Sequence, residues 1–175
     1  MGRGNDRLMA AIERDESEEA VHVCMAESPI RDVLPQLFGW SASNAIVESK
    51  PSLHTLIPDF AVGHLVKSTQ LHEWALIEIE RPSMKLFTQN GDPTANLTHA
   101  VHQVTSWRNW IVNNIAYART ILPDIGPAFS GVVIIGRRDS LNGAREGLAA
   151  FNHTLLNVKV RTYDWVVDKA EELGV

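Results

Sequence analysis

The chain has 175 residues, 16 Lys and Arg against 21 Asp and Glu, a net charge of −5, and a composition 45% hydrophobic and 21% charged. That size suits one domain with a real core, and the acidic balance excludes a generic basic nucleic-acid coat. It does not exclude a nuclease, whose metal-binding carboxylates add negative charge locally.

The N-terminal Met1-Gly2-Arg3-Gly4-Asn5-Asp6 leads into no apolar segment, which argues against a secretory signal. No apolar run reaches the roughly 18 residues of a membrane span, so no membrane partner is expected. The single cysteine, Cys24, cannot form an internal disulfide and reads as a small buried hydrophobe. A reducing cytoplasm is the expected compartment.

Residues 1–14 read as a polar, flexible segment, and 15–175 as a single domain. Ser17-Glu18-Glu19 opens a helix with Val21, Cys24 and Met25 inward, and Ser28-Pro29 interrupts it. A short helix over 30–38 carries Ile30, Val33, Leu34 and Leu37. Strands follow at 45–49 and 56–62, with Pro58 suited to an irregular or edge position. A third and most apolar strand spans 73–80.

Turn residues make 81–94 a loop. A long helix over 94–120 shows the stripe Leu97, Val101, Val104, Ile111, Ile115 and Ala118. Pro123 to Pro127 breaks the chain. Val132-Val133-Ile134-Ile135 is a continuous apolar run, hence a strand buried on both faces. A helix over 139–152, a strand over 156–163 and a helix over 164–173 complete the order. Gly136 and Gly143 are turn glycines, and no phosphate-loop pattern is present. The order α-α-β-β-β-α-β-α-β-α describes a mixed α/β domain.

The chemistry concentrates in two acidic markers, Pro58-Asp59-Phe60 and Glu78-Ile79-Glu80. Strand residues i and i+2 share a face, so Glu78 and Glu80 lie side by side. If Asp59 ends a neighbouring strand, three carboxylates converge. Like charges held together are costly without a cation, and a divalent metal removes that cost. Phosphodiester cleavage needs such a site, and the Ile79 carbonyl is available as a further ligand. On spacing alone the acidic pair equally suits a half-exposed strand paired with Arg81 or Lys85.

Gln103 and Trp107 stand at i and i+4 on the long helix, where an amide can orient water or phosphate and an aromatic ring can wall the site. Both also suit ordinary helical positions, solvated and core. His99 and His102, at i and i+3, invite a zinc reading, but spacing suggests no third ligand. Arg81, Arg108, Arg137 and Arg138 are the cations placed to meet a phosphate backbone; for Arg137 and Arg138, ion pairs with Asp139 or Glu146 are the competing reading.

Pro58-Asp59, Glu78-x-Glu80 and Gln103-x-x-x-Trp107 together resemble the PD-(D/E)XK nuclease superfamily, the last pair being similar to the Q-x-x-x-Y motif of its RecB-like branch. The runs Trp74 to Pro82, Asn96 to Val104, Val133 to Arg138 and Arg161-Thr162-Tyr163-Asp164 are similar to the nuclease domain of Shedu anti-phage defence proteins. The resemblance covers about residues 15–173. It implies a restriction-endonuclease-like core, a central mixed sheet flanked by helices. It also implies a Mg²⁺- or Mn²⁺-dependent DNA endonuclease acting in defence.

Carried over, Asp59 and Glu78 are metal ligands and Gln103 takes the motif-glutamine role. Glu80 falls where the superfamily usually has Lys. There it acts as a further ligand or general base, or marks a catalytically silent module that binds nucleic acid or a protein partner. Lys85 is a candidate substitute cation, and Glu18 resembles an acid of the family's N-terminal helix. The acidic charge and short length point to DNA held with help from a second copy of the chain or a regulatory partner.

Overall fold

The computed structural model describes residues 3–15, 17–141 and 144–175. Its centre is a five-stranded sheet in the order β1-β2-β3-β4-β5, comprising β1 (Ala45–Ser49), β2 (Phe60–Val66), β3 (Leu71–Ile79), β4 (Ser130–Ile134) and β5 (Val158–Arg161). β1, β2 and β3 form an antiparallel meander. β4 and β5 then add in parallel, each after a helical crossover. Parallel strands must be joined by such crossovers, and here they cover one face.

That face carries α4 (Ala95–Asn113), α5 (Ile115–Ile121) and α6 (Arg145–Thr154), packed on Trp74, Leu76, Val133 and Val160. The opposite face carries α1 (Arg3–Arg14), α2 (Glu18–Ala26), α3 (Ile30–Val33) and α7 (Asp164–Glu172), packed on Phe60, Val62, Ile77, Ile79 and Ile134. The result is an α/β sandwich with a restriction-endonuclease-like core. Among the described residues no helix is long and apolar enough to cross a membrane.

Strand alternation decides the faces. In β3, Ala75, Ile77 and Ile79 face α1–α3 and α7, while Trp74 and Leu76 face α4. Glu78 is therefore turned into the α4 layer. α4 lies close on the sheet because Gly131 leaves room: a Cβ there would collide with Val104 Cγ1. Thr94 caps α4 by accepting from the Leu97 N–H at 3.3 Å.

Several expectations need correction. Residues 3–14 are not a polar segment without core contacts. They form α1, whose Leu8 and Ile12 are buried. The apolar stripe is only two side chains wide, so it is faint in sequence. The strand expected over 56–62 begins at Phe60 and runs to Val66, because Pro58 supplies no ladder N–H. Asp59 thus precedes a strand rather than ending one. Since β2 runs antiparallel to β3, its start still lies beside the end of β3, with Phe60 opposite Ile77.

The helix over 94–120 breaks at Asn114 (φ −132°, ψ 32°). The Asn114 side chain donates to the Trp110 carbonyl at 2.9 Å, the local competition that makes Asn unfavourable in helix interiors. The helix over 30–38 is one α-turn followed by the 3₁₀ segment Leu34–Phe38. A 3₁₀ turn at Arg138–Leu141 precedes α6, and Gly143 lies outside the described residues. Cys24 is only partly buried.

Leu8 tests the first correction. Leu8→Ala should cost about 2–5 kcal/mol, read as a lower urea midpoint; a frayed N-terminus would leave the midpoint unchanged.

Candidate metal centre

The acidic markers meet at one end of the sheet. Asp59 is 7% exposed and Glu78 8%. Asp59 is held from three sides. Its Oδ2 accepts from the Ile79 N–H at 2.9 Å. Its carbonyl accepts from the Lys50 N–H at 2.9 Å and lies 3.3 Å from His22 Nε2. Ile79 thus turns its backbone polar groups towards Asp59, since a strand residue points its N–H and carbonyl to the same side. Glu80, just past β3, donates its N–H to the Ile134 carbonyl at 2.8 Å. Its carbonyl accepts from the buried Tyr163 hydroxyl at 2.7 Å.

Glu18 joins this group from α2. Burial raises its pKa; Lys50 opposes that shift and Glu19 adds to it. Burial also pushes Asp59 up to about 6, and Glu18 adds to the effect against the Ile79 N–H and Lys50. Glu78 is pushed up to about 9 by burial, then by Asp59, Glu80 and Glu18. Glu80 is pushed up to about 7 by burial, then by Glu18 and Asp59. Glu18 and Asp59 raise their neighbours, so without a cation the cluster keeps protons that isolated carboxyls would release.

Gln103, half-buried on α4, faces Glu78 and lowers its pKa. It closes no full hydrogen bond: Glu78 Oε2 is buried and has no partner among the described residues. The lowering therefore reflects proximity of the amide, and the orphaned oxygen is the more telling fact. Such an atom is costly to bury and calls for a ligand.

A hard divalent cation fits this donor set. The fit is not a preformed cage. Among the described residues no three His, Cys, Asp or Glu side chains converge closely enough to hold a metal ion. Mg²⁺ does not require one, since it keeps several waters and is commonly bound by one or two carboxylates plus substrate phosphate. His99 and His102 are exposed on α4, and the zinc reading gains no third ligand.

The remaining candidates are placed differently. Trp107, read as a wall of the site, is 2% exposed within the core between α4 and the sheet, one turn beyond Gln103. Lys85 lines a separate cavity with Phe87, Thr94 and Leu141. Arg81 donates to the Asp15 carbonyl at 2.8 Å and to the Asp15 carboxylate. Arg137 pairs with Asp164 at 3.0 Å, and Arg138 with Asp168, rather than with Asp139 or Glu146.

Arg108 is a correction. Its guanidinium donates to the carbonyls of Pro127, Phe129, Leu156 and Asn157 and lies over the Phe129 ring at 4.8 Å. These groups precede β4 and β5, at the end of the sheet opposite the carboxylates. Arg108 clasps two strand entries with four of its five N–H donors, far from the carboxylates.

Three residues around the cluster have places there that no local pattern encodes, although Tyr163 lies in the family-like run Arg161–Asp164. Lys50 has φ +48° and places its ammonium on the Glu19 carboxylate. His22 is buried, stacks on Phe60 at 4.7 Å and shares Nε2 between the Asp59 carbonyl and Ser49 Oγ. Burial lowers its pKa. Tyr163 is fully buried beneath Glu80. Only their folded neighbours reveal them.

Glu78 sets a sign for pH dependence. Its folded pKa stands well above its ordinary 4.5, so the folded state holds that proton more tightly. The associated stability is present below pH 4.5 and is lost as pH rises towards about 9. Metal-free protein should melt progressively lower across that range. Glu78→Gln should flatten the decline in a thermal-melt series, and Mn²⁺ should stabilise the unchanged protein more at the alkaline end.

No curated protein matches the chain. The family model described as "Shedu protein SduA, C-terminal" matches residues 16–167, which takes in α2 through the first turn of α7 and every carboxylate of the cluster. The chain therefore belongs to the Shedu SduA C-terminal family, which points to nuclease-type chemistry in anti-phage defence.

Proposed function

We propose that this chain is a divalent-metal-dependent DNA endonuclease domain that hydrolyses or nicks phosphodiesters in anti-phage defence. One observation carries the reading: the buried, unpartnered Glu78 Oε2 stands among Asp59, Glu80 and Glu18. Buried carboxyls with pKa values raised this far are characteristic of functional sites rather than of stable cores.

Asp59 and Glu78 would hold Mg²⁺ or Mn²⁺, with the Ile79 carbonyl beside them. When bound, the cation supplies charge neutralisation at the phosphate and a more acidic water. The chain's own groups do the rest. The Ile79 N–H keeps Asp59 from rotating away. Gln103 orients the phosphate or the attacking water above Glu78. Glu80, with a pKa near neutrality in the metal-free protein, accepts the proton of the attacking water. The new bond forms between that oxygen and phosphorus; the bond from phosphorus to the leaving oxygen breaks, and the leaving oxygen takes its proton from solvent.

DNA reaches this centre across the carboxyl ends of β4 and β5. A cavity of about 320 Å³ there is lined by Arg138, Arg145, Arg161 and Trp165, and the Arg161 guanidinium lies over the Trp165 ring at 5.5 Å. Arginines suit phosphates and an aromatic face suits a base. With a net charge of −5, firm DNA binding falls to this local cluster together with a second copy of the chain or a regulatory partner.

The competing reading is a catalytically silent module, favoured by Glu80 at a position where the superfamily usually has Lys and by the lack of three convergent ligands among the described residues. Plasmid nicking separates the two. Supercoiled DNA with Mn²⁺ should be relaxed by the unchanged protein, and Asp59→Asn or Glu78→Gln should slow the reaction by about 10²-fold or more. Equal rates for all three proteins, with no calorimetric Mn²⁺ binding, would establish the silent module.

A further inference from the structure

We propose that Lys50 is a further catalytic residue of this centre: its ammonium faces the scissile phosphate during cleavage, and Glu19 holds it in reserve when no nucleic acid is bound. The inference rests on the nuclease reading and adds to it a residue from outside the acidic strand.

Position comes first. Lys50 follows β1 directly, and its N–H donates to the Asp59 carbonyl at 2.9 Å. Its Cα is thereby fixed beside the buried carboxylate. Its φ of +48° is a left-handed conformation uncommon for a lysine, kept only where the surroundings impose it. A glycine would adopt that turn freely, so the presence of lysine points to a use for the side chain.

Charge comes second. Lys50 acts on Glu18, Glu19 and Asp59 together, and among the described residues it is the one cation shared by these acids. Of the other cations, Arg81 is held by the mostly buried Asp15 and Arg137 by the mostly buried Asp164. Arg138 pairs with the exposed Asp168 but lines the cavity at the carboxyl end of β5. Lys85 lines a separate cavity, and Arg108 clasps the far end of the sheet. A phosphate entering among four carboxylates meets Lys50 as the available ammonium.

Release comes third. The Lys50–Glu19 pair is exposed, with side chains 42% and 62% accessible. Exposed ion pairs are held weakly. A phosphodiester offers the same ammonium a partner whose negative charge grows in the transition state, where a preformed cation gains most. Lysine suits this exchange, being a compact charge on a flexible stem.

The test uses the full chain and two readouts: nicking of supercoiled plasmid in Mn²⁺, and binding of a labelled duplex in Ca²⁺ by fluorescence anisotropy. Lys50→Gly removes the ammonium yet suits the positive φ, so it should fold at least as stably as the unchanged protein. It should lose about 10²–10³-fold in nicking rate while duplex affinity falls by less than about tenfold, the effect of one phosphate contact. Lys50→Arg should retain most of the rate, and Glu19→Gln, which frees the ammonium, should nick faster. Lys50→Gly nicking at the unchanged rate, or duplex binding falling as far as the rate, overturns the proposal while leaving the nuclease reading intact. An unchanged protein that neither nicks nor binds Mn²⁺ removes both.

Discussion

The hydrogen bond from the Ile79 N–H to Asp59 Oδ2, 2.9 Å long, ties the entry of β2 to the exit of β3 at the point where negative charge accumulates. Without it Asp59 would swing towards water, as an acid beside Glu18, Glu78 and Glu80 is driven to do. With it one carboxylate oxygen is satisfied inside the protein. The same residue's carbonyl takes the Lys50 N–H and approaches His22. One aspartate thereby fixes the relative placement of α2, β1, β2 and β3. The Ile79 hydrogen bond and the Lys50 charge favour the ionised form, and burial outweighs both.

Glu78 is the opposite case. Nothing satisfies its buried Oε2 among the described residues, yet the fold leaves it no route outward. Its neighbours at i−2 and i−4, Leu76 and Trp74, are anchored in the α4 core. A one-residue slip of β3 would carry all three to the α1–α3 face and turn Ile77 and Ile79 into the α4 layer, undoing the packing of both cores. Gly131 lets α4 approach and close the layer above. Register, set by apolar burial, therefore enforces a polar cost. A sequence selected for stability alone would carry an apolar residue here, since an unpartnered buried polar group is costly. The cost is understandable when a ligand relieves it.

What the sequence made legible follows from period and run length. β3 and α4 stood out because Trp74 to Ile79 is long and apolar and because Leu97, Val104 and Ile111 recur at helical spacing. Those two elements hold Glu78 and Gln103, so the centre of the site was readable. Asp59 was readable by residue type, although its strand began later than expected. α1 was faint because Leu8 and Ile12 are few among polar neighbours, and their burial depends on partners in α2, α3 and α7. The approach of Lys50, His22 and Tyr163 to the cluster was unreadable for a different reason. Each reaches the cluster through contacts 9 to 83 residues away in sequence, and no local pattern encodes such a meeting. Arg108 shows the converse error: charge in a sequence counts donors but does not say that four carbonyls will occupy them.

The shape of the acid cluster also bears on how a nuclease of this kind would avoid idle chemistry. Three side chains do not converge on one point among the described residues, so an ion held by Asp59 and Glu78 would keep much of its water. Phosphate oxygens are the natural remaining ligands for such an ion. On the proposed function, nucleic acid completes the centre that cuts it. Metal and DNA would then each strengthen the binding of the other, because linkage is reciprocal. That coupling offers a physical means of restraint in a defence protein: the loaded state forms fully only on its target, and the raised carboxyl pKa values of the free protein express the work that loading recovers.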